Sequence, residues 1–142
     1  MLFEPVGILA RTIYGEARGQ GVAGMSAIAS VVMNRVNNPG WWGTNVIFVC
    51  LDDWQFSCWN NGDPNRKFIV AALETDLIFA SAISIATKAV NGTLADSTNG
   101  ADSYYAESLA IPPIWANGLV PTAVIGGQRF YQTKSPLSQK VS

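Results

Sequence analysis

Apolar residues recur at helical spacing in three stretches of this chain, and glycine, asparagine or proline closes each stretch. That pattern commits most of the core to helices. Pro5 suits the first turn of a helix, and Val6, Leu9, Ala10 and Ile13 follow as one stripe that ends near Gly15–Gly19. Met25, Ile28, Ala29 and Val32 mark a second helix over Val22–Val36, stopped by Asn37, Asn38, Pro39 and Gly40. Leu73, Leu77, Ala80 and Ser84 mark a third from Lys67 to Val90, with Asn91-Gly92 as its stop. Between the second and third, Trp41–Arg66 holds four of the five tryptophans and both cysteines. We expect a long loop there with a short hairpin over Ile47–Phe56; a loop so long and so aromatic is a candidate for function. From Ala101 to Tyr131, Pro112-Pro113, Asn117-Gly118, Pro121 and Gly126-Gly127 rule out long elements, and the polar tail beyond is expected to fray.

At 142 residues the chain has the size of a single domain, 1–142, able to bury a core. No internal repeat is visible. Apolar residues make up 49% and charged residues 13%, which excludes a disordered chain. A net charge of −1 argues against nucleic acid as a partner. There is no histidine. Its absence excludes a Ser-His-Asp triad, a Cys-His pair and the His-ligated zinc sites. No metal or organic cofactor is implied. The start, MLFEPVGILA, lacks the basic region of a secretory signal, and no apolar run suffices for stable membrane insertion.

Glu16 is the candidate catalytic group. In YGEARG (Tyr14–Gly19) it stands where an apolar helix runs into a glycine-rich turn. A carboxyl at such a junction can be desolvated while facing a cleft, and desolvation raises its pKa towards that of a useful general acid. The competing reading is a solvated helix glutamate paired with Arg11 or Arg18. Three further blocks follow: QFSCWN (Gln55–Asn60), ADSYYAE (Ala101–Glu107) and IGGQRFY (Ile125–Tyr131).

Taken together, these blocks make the chain resemble the SleB-type (spore-cortex-lytic) cell-wall hydrolases, in particular their short phage-endolysin members, from about Ile8 to Tyr131. The resemblance implies an α+β, mainly helical, lysozyme-like fold with a small β-hairpin region. It implies that Glu16, the glutamate of the GEARG motif, is catalytic. It also implies peptidoglycan glycan strands as substrate and the lytic transglycosylase reaction between N-acetylmuramic acid and N-acetylglucosamine. The alternatives are a hydrolytic muramidase, with Asp52, Asp53 or Asp102 positioning a water, and a non-catalytic glycan-binding or virion domain.

Gln55, Phe56, Ser57 and Trp59 are then expected in the cleft wall, Trp59 stacking on sugar with Trp54, and Tyr104 and Tyr105 beside the acid or the sugar. The alternative for these aromatics is core packing, to which we assign Trp41 or Trp42. Gln20, Asp102-Ser103 and Gln128 depart from the Glu, Thr-His and His that relatives carry there. Gly126-Gly127 reads as a tight turn. Cys50 and Cys58 are either a disulfide pinning the loop or two buried thiols. The expected setting is a monomer made in the host cytoplasm and delivered to the wall in the periplasm by a holin or another system.

Overall fold

A computed structural model describes residues 4–53 and 55–134. Among these residues, five α-helices precede a three-stranded antiparallel sheet. Helix α1 (Pro5–Ala17) starts at Pro5 and is the centre of the molecule. Every residue from Gly7 to Tyr14 is buried, and α1 packs against every other helix. A helix buried on all sides belongs inside a core, and its polar members Arg11 and Thr12 donate to the Gly7 and Ile8 carbonyls. Helix α2 (Gly21–Asn37) buries the expected stripe together with Ala27, Ser30 and Val31. Its small residues let it lie close to α1 and to α5 (Leu77–Val90).

Two expectations are corrected. The hairpin foreseen over Ile47–Phe56 is instead helix α3 (Val46–Leu51). The Asn45 side chain accepts a hydrogen bond from the Phe48 N–H at 3.0 Å, an N-cap that starts a helix, and Val46, Val49 and Cys50 fall on its buried side. The third helix is two: α4 (Pro64–Val70) and α5. Asp63 caps the first and Asp76 the second, accepting from the N–H groups of Ile78 and Phe79. Asp76 also accepts from the Tyr14 hydroxyl at 2.6 Å, which holds its carboxyl below the usual range and ties the start of α5 to α1.

The strands lie in the C-terminal segment. Strands β1 (Ser103–Ala106), β2 (Ala123–Ile125) and β3 (Gln128–Tyr131) form a sheet in the order β1-β3-β2. Gly126 and Gly127, with φ of 58° and 78°, make the two-residue turn between β2 and β3, which demands positive φ at both positions. In β1 the side chains alternate. Tyr104 pairs with Phe130 and lies against it on the core side, while Tyr105 stacks on Tyr131 on the other face. Trp54 and the polar tail beyond Lys134 lie outside the described residues.

Candidate active site

Glu16 sits on the last turn of α1, half-buried, at a cleft of about 550 Å³. Two distant segments hold its carboxylate. The Tyr104 hydroxyl on β1 donates to Oε1 at 2.7 Å, and the backbone N–H of Cys58 donates to Oε2 at 3.3 Å. Desolvation, reinforced by the adjacent Glu16 charge, holds the Tyr104 phenol protonated well above its ordinary pKa, so it stays a donor. Cys58 belongs to a 3-10 turn, Ser57–Trp59, that lies directly on α1. Gly15 permits that approach: a Cβ on it would stand 2.7 Å from Cys58 Cβ and 2.9 Å from its sulfur.

The remaining cleft lining is Arg35, Trp41, Gln55, Ser57, Ser103, Trp115 and Thr133. Glu16 is the one carboxylate among the lining residues. Asp102 is 4% exposed and its carboxylate is occupied elsewhere. It accepts from Ser103 Oγ, from the Thr133 N–H and hydroxyl, and from the Lys134 N–H, so it fastens the chain that leaves β3. Asp52 and Asp53 line two adjoining depressions instead, one shared with Trp41 and the other with Trp59, Asn60, Asn61 and Arg66.

A sequence profile described as Cell Wall Hydrolase matches residues 19–131. The chain belongs to that family. Glu16 falls just before the matched stretch, so its place in the site rests on the geometry above. The Bacillus subtilis spore cortex-lytic enzyme is 53% identical over 32 residues, which are 22% of this chain and 10% of that protein. The fold is that of the catalytic domain of the germination-specific lytic transglycosylase SleB from Bacillus anthracis, with a TM-score of 0.69 and 22% identity over 90% of this chain and 93% of that one. It is equally that of the Bacillus cereus SleB catalytic domain, with a TM-score of 0.70 and 22% identity over 90% and 89%. These matches establish the lysozyme-like architecture, mainly helical with a small sheet.

Within this cell wall hydrolase, Glu16, Gln55, Ser57 and Tyr104 meet at one cleft. The other three expected cleft residues do not line it. Phe56 is 1% exposed and lies in the core next to the cleft residue Arg35. Trp59 donates its indole N–H to Thr12 Oγ1 at 2.9 Å and faces the depression with Asp52 and Asp53. Tyr105 stacks on Tyr131 and meets Trp115 edge-on, reaching the cleft only through that tryptophan. Of Trp41 and Trp42, one of which is expected to pack, Trp42 is the core residue and Trp41 is 68% exposed at the cleft. Gln128 is buried in the hairpin, away from the cleft lining. Ser103, within the ADSYYAE block, also lines the cleft, whereas Arg35, Trp115 and Thr133 carry no signal in the sequence that sets them apart from scaffold.

Cys50 and Cys58 are free thiols, both buried. Burial pushes Cys50 up to about 12, and burial with the Glu16 charge beside it pushes Cys58 higher still. Both therefore stay neutral thiols at pH 8, and thiolate is the reactive form. Ellman's reagent at pH 8 is expected to leave the native protein unlabelled over minutes and to release two equivalents on denaturation. Prompt release from the native protein would show that the turn beneath Glu16 opens far more readily than its packing implies.

Proposed function

We propose that this cell wall hydrolase is a lytic transglycosylase cutting the glycan strand between N-acetylmuramic acid and N-acetylglucosamine, with Glu16 as its acid and base. The observation that carries the reading is a single carboxylate lining the cleft among the described residues, gripped through Oε1 and freer at Oε2. Ordinary glycosidases need two carboxyl groups flanking the scissile bond. One carboxyl suffices if the sugar supplies its own nucleophile.

In that route the protonated Glu16 gives its proton to the glycosidic oxygen, and the bond from muramyl C1 to that oxygen breaks. The 6-hydroxyl of the same muramyl residue then attacks C1. Glu16, now a carboxylate, takes the hydroxyl proton and is restored. The products are a 1,6-anhydromuramyl end and an N-acetylglucosamine end, with no water consumed. Tyr104 keeps Oε1 occupied throughout, which leaves Oε2 to carry the proton both ways. Gln55 and Ser57 offer amide and hydroxyl groups to the sugars, and exposed Trp41 and Trp115 offer faces for stacking.

The described residues share one hydrophobic core, which supports reading 1–142 as one catalytic domain. No helix among the described residues is long and apolar enough to cross a membrane. The setting we infer is that of a monomeric phage endolysin, made in the host cytoplasm and brought to the periplasmic wall by a holin or a similar system.

Mass spectrometry of muropeptides released from purified peptidoglycan tests the chemistry. The expected products carry anhydro-muramyl ends, lighter by one water than hydrolytic ends. Reducing muramyl ends would replace the transglycosylase with a muramidase and direct attention to Asp52 and Asp53. No release at all would favour a glycan-binding or virion domain.

A further inference from the structure

Among the described residues, Arg35 is the single cation lining the cleft, and its scaffold role uses only part of it. The side chain is 5% exposed. Its Nε donates to the Asp102 carbonyl at 2.7 Å, joining α2 to the start of β1. The guanidinium carbon lies 5.3 Å from the Trp42 ring centroid and 5.4 Å from that of Phe56, so apolar faces support it. No ion pair forms with it among the described residues, because the Asp102 carboxylate is taken by Ser103, Thr133 and Lys134. Nη1 is buried without any hydrogen-bond partner among the described residues. A guanidinium has five donors in a planar fork, and a buried charge left this incompletely served is costly. A structural clamp to one carbonyl accounts for Nε alone. The unused donors belong to a residue that faces the same cleft as Glu16.

The two sugars of a glycan strand differ in one respect: the muramyl residue carries a lactyl ether on O3, ending in a carboxyl-derived carbonyl. The transglycosylase reading requires the muramyl residue, with its own 6-hydroxyl, on the side of Glu16 that loses the leaving group. A strand shifted by one sugar would present the wrong bond. Some group in the cleft must therefore distinguish the sugars, and a donor-rich cation is what an acceptor oxygen on the lactyl arm would meet. We propose that Arg35 receives the lactyl carbonyl oxygen of the muramyl residue and so sets the register in which the strand is cut. This inference rests on the glycan-cleaving reading of the cleft. Arg35 is thus a specificity determinant, and Glu16 remains the group that moves the proton.

The test uses binding to the full chain carrying Glu16→Gln, so that no ligand is cut. Calorimetry compares a peptide-free tetrasaccharide of alternating N-acetylglucosamine and N-acetylmuramic acid with the tetramer of N-acetylglucosamine. The muramyl ligand is expected to bind about 10- to 100-fold more tightly, the range a charge-assisted hydrogen bond supplies. Reducing the lactyl carboxyl to the alcohol, with the protein unchanged, should erase most of that preference. Arg35→Lys in the same background keeps a charge and a donor for the Asp102 carbonyl but loses the fork, and should also bring the two affinities together. A preference that survives reduction of the lactyl group, or survives in a folded Arg35→Lys protein, overturns the proposal. If Arg35→Lys fails to fold, the reduced ligand decides alone. If neither tetrasaccharide binds, the glycan reading of the cleft fails first and the role of Arg35 falls with it.

Discussion

Glu16→Gln is expected to lower the rate of glycan cleavage by about 10²–10⁴-fold, the usual worth of a positioned general acid–base group. The substitution is nearly isosteric. The glutamine Oε1 can still accept from Tyr104, so the contact between α1 and β1 persists. What changes is that an amide neither gives a proton to a glycosidic oxygen nor takes one from a 6-hydroxyl. The amide nitrogen would face the Cys58 N–H, donor against donor, but that contact is long at 3.3 Å and little stability rides on it. The variant should therefore melt close to the parent and still bind glycan strands. Turbidity clearing of purified peptidoglycan, alongside a thermal melt, is the measurement. Clearing at the parental rate would remove Glu16 from the chemistry, and with it the single-acid mechanism.

How much of this was readable beforehand varies with the range of the interactions involved. Helices α1 and α2 are visible in the sequence because their burial repeats every three or four residues, a local signal. The break between α4 and α5 was missed although its cause is local: Asp76 caps α5, but Leu73 and Leu77 keep helical spacing across the gap and mask the stop. Helix α3 was mistaken for a strand because Val46, Ile47 and Val49 favour strands, whereas the Asn45 cap and the burial of one side decide for helix. A small β region is expected from the resemblance, but its place in the C-terminal segment is not legible, for the opposite reason. Its strands span three or four residues and exist through pairing with one another rather than through any pattern of their own.

The site divides in the same way. Glu16, Gln55, Ser57 and Tyr104 stand in motif-like blocks and were found. Arg35 sits in an amphipathic helix where an arginine near the C-terminus looks like ordinary dipole compensation, and only the fold brings it under the cleft. Trp41 and Trp42 are adjacent and chemically identical, yet one is core and the other solvent-facing. The direction of a side chain in a loop is a tertiary fact.

The two outer glycines of the GEARG motif should behave oppositely when each is replaced by alanine. Both replacements gain helix or chain-entropy stabilisation of roughly 0.5–1 kcal/mol. At Gly19 nothing among the described residues lies within 4 Å of the added Cβ, and that gain should stand alone. At Gly15 the added atom would meet Cys58 Cβ at 2.7 Å, Cys58 Sγ at 2.9 Å and Ile69 Cγ2 at 3.0 Å. A Cβ is tethered to its own backbone and cannot swing aside, so the Ser57–Trp59 turn must move off α1. Overpacking of this kind costs about 1–3 kcal/mol, more than the propensity returns. The displaced turn takes the Cys58 N–H away from Glu16 and carries Gln55 and Ser57 with it. A shift of about 1 Å among positioning groups costs on the order of 10²-fold in rate. Gly15→Ala is thus expected to lose both stability and activity, measured by denaturant unfolding and by peptidoglycan clearing, while Gly19→Ala keeps both. Equal behaviour of the two variants would mean that the close packing of the turn on α1 does not position the acid, and that the motif constrains something other than the grip on Glu16.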